Sequence, residues 1–123
     1  MNGETLIHQF SKEMQTEFGQ NLKSIILCGS YVRGDNTEDS DMDIYCYFDH
    51  LTATDLFTVG EVVKKMPVLY KNFELNTQCM TIEEFKNQGF ARAFVAPIKY
   101  FESRVIYGEE LGTKPSRNDF IPH

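Results

Sequence analysis

Two short apolar runs, LKSIILCG (22–29) and MDIYCYF (42–48), flank a polar loop in this chain. The first closes on Gly29-Ser30 and the second is entered through Asp41-Met42-Asp43. No other feature limits the possible folds so strongly. Both runs are short, rich in β-formers and bounded by turn residues, so they read as strands. Between them, SYVRG allows a single helical turn, and DNTEDS (35–40) is a loop, because Asp, Asn, Thr and Ser favour turns. Side chains two apart on a strand share a face, so Asp41 and Asp43 stand side by side where the second strand begins.

Two neighbouring carboxylates repel each other, and unpaired they would push one pKa upward. A divalent cation removes that cost, and hard oxygen ligands suit Mg²⁺. Backbone N–H groups at a turn such as Gly29-Ser30, with the serine hydroxyl, form a ready seat for phosphate oxygens. Together they describe a nucleotide–metal site. A plainer alternative is a solvated acidic loop, since charged surface is the norm. A calcium loop fails: with Asp39, Asp41 and Asp43 at positions 1, 3 and 5, Ile44 falls where glycine is needed and His50 where the bidentate glutamate is needed.

The remaining chain supplies a frame for these strands. Leu6, Phe10, Met14 and Phe18 recur every four residues, which predicts a helix over 4–19 ended by Gly19. A second helix is expected over 52–66, with a cap at Thr52 or Thr54, an apolar face of Leu56, Val59, Val62 and Val63, and a stop at Pro67. FELNTQCMT (73–81) reads as a third strand. Thr81 to Glu84 has capping-box form and opens a helix to about Gln88. Residues 90–103 look helical with a break at Pro97, 104–108 form a short fourth strand, and TKPSRNDFIPH is a polar tail. The expected fold class is α/β (α+β), a small mixed β-sheet flanked by helices. One domain over 2–111 and a tail over 112–123 account for the length.

With these elements in place, the motif resembles a known family. Gly29-Ser30, ten residues, then Asp41-Met42-Asp43 is similar to the GS-x10-D-x-D signature of the DNA polymerase beta-like nucleotidyltransferase superfamily. The stretch GSYVRGDNTEDSDMDIYCYF resembles its minimal single-domain branch throughout, including Arg33-Gly34 and Ser40-Asp41. The resemblance implies that Gly29 and Ser30 hold nucleotide phosphates, with Ser40 in the same binding motif, and that Asp41 and Asp43 bind two Mg²⁺ ions. It also implies a third acid on a later strand, which helps bind metal and deprotonates the attacking hydroxyl. Glu74 is the best match, in a strand similar to one of the aminoglycoside nucleotidyltransferases; its alternative is an ordinary surface glutamate. Arg33 either touches phosphate or points to solvent. Glu83 and Glu84 read as charges favoured at a helix N-terminus. The implied reaction transfers a nucleoside monophosphate, AMP from ATP or the equivalent from another NTP, to a hydroxyl. The implied acceptor is a partner protein such as a HEPN-type toxin, as in antitoxins of this branch. A homodimer acting on a small molecule is a variant, and a non-catalytic nucleotide- or partner-binding module is the contrasting reading.

Composition narrows the partners. The formal net charge is −6 with scattered Lys and Arg, which argues against nonspecific DNA or RNA binding. No apolar run approaches the roughly 20 residues of a membrane span, and the first residues lack the apolar core of a signal peptide. Cys28, Cys46 and Cys79 are far apart in sequence and each lies in an apolar run, which suggests buried thiols in a reducing, cytoplasmic setting. The segment 90–107 is apolar enough to be core or a partner surface.

Overall fold

The computed structural model describes residues 2–29, 41–69, 73–87 and 103–108. Helix α1 spans Gly3–Phe18, strand β1 Leu22–Cys28, β2 Met42–Phe48, helix α2 Ala53–Lys65, β3 Leu75–Thr81, helix α3 Ile82–Asn87 and β4 Ser103–Gly108. The four strands form one sheet in the order β3-β2-β1-β4. β1 runs antiparallel to both β2 and β4, while β2 and β3 are parallel. This is the expected small mixed sheet with helices. The expected helix over 90–103 and the tail over 112–123 lie almost wholly outside the described residues.

Local chemistry sets the helix boundaries. Asn2 Oδ1 accepts a hydrogen bond from Thr5 N at 2.9 Å and caps α1, satisfying one of the free N–H groups of the first turn. Thr52 and Asp55 close a reciprocal capping box on α2, with Asp55 N donating to Thr52 Oγ1 at 3.1 Å and Thr52 N to Asp55 Oδ2 at 2.9 Å. Thr52 is therefore the cap, and Lys64 and Lys65 lie at the other end, where the dipole favours cations. α3 opens in the expected way: Glu84 N donates to Thr81 Oγ1 at 3.0 Å, and Thr81 N donates to Glu84 Oε1 at 3.2 Å.

One face of the sheet carries the main core. Leu6, Ile7, Phe10 and Met14 of α1 and Val59 and Val62 of α2 pack with Leu22, Ile25, Leu27, Met42, Ile44, Cys46 and Phe48 of the strands. Phe18 closes the end of α1 edge-on against Phe48, ring centroids 5.0 Å apart. Leu56 departs from the expected apolar face of α2: it is 51% exposed, and the buried stripe of this helix is Val59 and Val62. Arg104 of β4 is paired with Glu4 of α1 at 2.6 Å. On the opposite face a smaller cluster joins Ile26, Cys28 and Tyr47 with Tyr45, Met80, Ile82 and Phe85. One face of the sheet is thus filled by α1 and α2, and the other carries Ile82 and Phe85 of α3 together with the polar positions of β2 and β3 near their starts. Among the described residues no helix is long and apolar enough to cross a membrane.

Candidate active site

The strand directions bring four chain segments to one end of the sheet. β1 ends there at Cys28 and Gly29, while β2, β3 and β4 all begin there. Cys28 pairs with Asp43 on one side and with Ser103 on the other, and Asp43 pairs in turn with Asn76 of β3. The polar Gly29 turn and the Asp41-Met42-Asp43 entry therefore meet because β1 and β2 are antiparallel neighbours.

Asp43 is half-buried, and its two carboxylate oxygens have different neighbours. Its Oδ1 accepts a hydrogen bond from Asn76 Nδ2 at 3.3 Å. Its Oδ2 lies 3.4 Å from the place a β-carbon on Gly29 would occupy. Gly29 has φ +86°, in the left-handed region that glycine enters freely, so the chain can turn away from β1 at this point.

The parallel register places Glu74. Met42 pairs with Leu75, and Met42 N donates to Glu74 O at 3.0 Å, so the ladder extends one step before the strands proper. Continued by that step, it sets Asp41 level with Glu74. Partners across a sheet share a face, and the period of two puts Asp41 with Asp43 and Glu74 with Asn76. Asp41 and Glu74 are both exposed. The donors at this mouth are carboxylate oxygens, the chemistry that suits Mg²⁺ rather than a thiolate- or imidazole-seeking metal. Among the described residues no three His, Cys, Asp or Glu side chains already close on one point. The fit to Mg²⁺ thus lies in the donor type and shared face of these acids.

Gly29, Asp41, Asp43 and Glu74 are brought to one mouth of the sheet. Ser30, Arg33 and Ser40 lie outside the described residues. Asn76 is the site neighbour that sequence reading missed. Its signal was its position two residues after Glu74 on a strand, but the partner it meets depends on the pairing of β3 with β2.

A second pairing in the same two strands joins Cys46 to Cys79. Among the described residues the three cysteines form no disulfide. A hydrogen bond from Cys46 lowers the pKa of the Cys79 thiol, with partial burial opposing it. The same hydrogen bond, then burial, then the neighbouring charge of Cys79 push the Cys46 thiol well up.

Residues 7–114 match the nucleotidyltransferase domain family. A candidate protein adenylyltransferase of Methanocaldococcus jannaschii is 48% identical over 44 residues, which is 36% of this chain and 44% of that protein. The chain thus aligns with less than half the length of this curated relative. Among solved structures, the fold is similar to the spectinomycin adenyltransferase AAD(9) of Enterococcus faecialis, solved with ATP and spectinomycin. The TM-score is 0.67 at 15% identity, over 96% of this chain and 62% of that one. It is also similar to a chain of a toxin-antitoxin solved with AMP-PNP, with a TM-score of 0.52 at 13% identity over 84% of this chain and 74% of that one. At these identities the two structures establish the fold.

Proposed function

Because the chain belongs to the nucleotidyltransferase domain family, we propose that it transfers AMP from ATP to a hydroxyl group on a partner protein. The observation that carries this reading is the common mouth of Gly29, Asp41, Asp43 and Glu74, where the end of β1 meets acids at the starts of two parallel strands. The protein acceptor is supported by the name of the Methanocaldococcus jannaschii relative and by the likeness to a toxin-antitoxin chain. An antitoxin-like role, with a HEPN-type toxin as acceptor, belongs to the same reading.

In this reading the Gly29-Ser30 turn receives the phosphates through its N–H groups. Asp41, Asp43 and Glu74 would hold Mg²⁺, which when bound neutralises triphosphate charge and favours in-line displacement. Glu74 is exposed at the mouth, where an acceptor can reach it, and takes the proton of the attacking hydroxyl. The hydroxyl oxygen bonds to the α-phosphorus as the bond to the bridging oxygen breaks, and pyrophosphate leaves.

Thermal unfolding with ATP, GTP, CTP and UTP, each with and without Mg²⁺, tests the site on wild type and on the Asp41→Asn/Asp43→Asn double variant. A ligand at 100 times its dissociation constant adds about 2.7 kcal/mol, which raises Tm by several degrees in a domain of this size. The expected result is an ATP-preferring, Mg²⁺-dependent rise that the double variant loses. No rise with any nucleotide would overturn the catalytic reading in favour of a module that binds its partner without chemistry.

A further inference from the structure

We propose that Asn76 is a positioning residue of this site: its amide holds one oxygen of Asp43 so that the other is presented to the Gly29 turn. The inference rests on Asp43 being a metal-holding acid, as proposed above. Three observations carry it. The parallel register sets Asn76 directly beside Asp43, on the same face of the sheet. Asn76 Nδ2 donates to Asp43 Oδ1 at 3.3 Å in a partly buried setting. The second oxygen of that carboxylate, Oδ2, is the one that faces Gly29, 3.4 Å from its virtual β-carbon. The two oxygens of Asp43 therefore have separate neighbours.

The chemistry of an amide suits this task. The terminal torsion of an aspartate is broad, so its carboxylate plane needs a partner to fix it. An ammonium in place of the amide would compete with a cation for the same oxygens. A further carboxylate would repel Asp43. The amide donates a hydrogen bond and adds no charge. Carboxylates that ligate metals are themselves hydrogen-bonded, and losing such a partner typically costs about 10- to 100-fold in metal affinity. Asn76 meets Asp43 and acts through it.

The test is a calorimetric titration of wild type, Asn76→Ala and Asn76→Val with the non-hydrolysable α,β-methylene analogue of ATP over a series of Mg²⁺ concentrations. Valine is the second variant because it favours strand structure and protects the fold if alanine does not. The expected result is that the Mg²⁺ concentration for half-maximal nucleotide binding rises roughly 10-fold or more in both variants, within the usual range for such a partner. The cooperative melting of the ligand-free protein is expected to persist. A purely structural role would lower melting without moving that Mg²⁺ concentration. A half-maximal Mg²⁺ concentration within twofold of wild type, in a variant that melts cooperatively, overturns the proposal while leaving the site reading intact. Wild type that binds no nucleotide at any Mg²⁺ concentration overturns both.

Discussion

Gly29 and Asp43 face each other across the mouth of the sheet, with a β-carbon on Gly29 placed 3.4 Å from Asp43 Oδ2. That separation is an ordinary contact, so space is not what demands glycine. The backbone demands it, because at φ +86° a side chain costs roughly 1–2 kcal/mol. Gly29→Ala is expected to lower stability by about that amount. On the proposed reading, in which this turn receives the phosphates, it is also expected to weaken nucleotide binding. Denaturant unfolding and nucleotide titration of the one variant check both effects; unchanged stability would show that the turn relaxes at no cost.

Asp43→Asn removes charge and keeps shape. Asp43 is only half-buried, so the variant is expected to stay within about 1 kcal/mol of wild-type stability. Transfer of label from α-labelled ATP into protein is expected to fall on the order of 100-fold or more if Asp43 holds Mg²⁺ as proposed. A well-folded Asp43→Asn protein with full transfer would remove the metal role from this residue.

The far end of β4 offers a test of the fold alone. Gly108 has φ +81°, and a β-carbon there would collide with Lys23 O of β1. Backbone on both sides must move to admit it. Gly108→Ala is expected to cost more than about 2 kcal/mol, as overpacking adds to strain at a special φ. Chemical denaturation measures this directly, and a loss under 1 kcal/mol would mean that β4 detaches there easily.

Ser24 presents the opposite case. It is fully buried on β1, and its Oγ has no hydrogen-bond partner among the described residues. A hydroxyl buried without a partner costs about 1–3 kcal/mol, whereas removing it leaves only a small void. Ser24→Ala is expected to raise Tm slightly. A fall would reveal a partner for this hydroxyl.

Cys79 is expected to be the first thiol to react with iodoacetamide. Its pKa is lowered by the hydrogen bond from Cys46, so thiolate at Cys79 appears at a lower pH than for an ordinary cysteine. Cys46 is fully buried and its pKa is raised, so it retains its proton. Alkylation followed by peptide mass mapping across a pH series should show Cys79 modified first and increasingly as pH rises. Cys46→Ala, which donates no hydrogen bond, should move that onset to higher pH. Equal labelling of both thiols would contradict the assignment.

Much of this was legible in the chain because it depends on short spacing. The four-residue recurrence of Leu6, Phe10 and Met14 marked the buried face of α1, and Thr52 and Thr81 marked helix starts. Asp41 and Asp43 were legible because a strand repeats every two residues. Leu56 matched the helical spacing of α2 and is nevertheless exposed. Spacing shows which residues share a face and leaves open where the packed surface ends. Asn76 and the Cys46–Cys79 pair were illegible for a different reason. Their partners are fixed by the parallel register of β2 and β3, a tertiary fact with no local signature.

That register also decides when the site comes into being. A parallel partner cannot follow through a tight turn, so the chain must return through α2 before Asn76 meets Asp43, 33 residues later. Contacts at such separation require loop closure first and form slowly. A hairpin of β1 and β2 alone would display Gly29, Asp41 and Asp43 with neither Glu74 nor Asn76 beside them. During synthesis, the two acids would emerge unaccompanied and stay so until β3 docks. On the proposed reading of the site, capacity for chemistry is therefore acquired late, when β3 docks, and nucleotide binding can serve as a clock for completion of the fold.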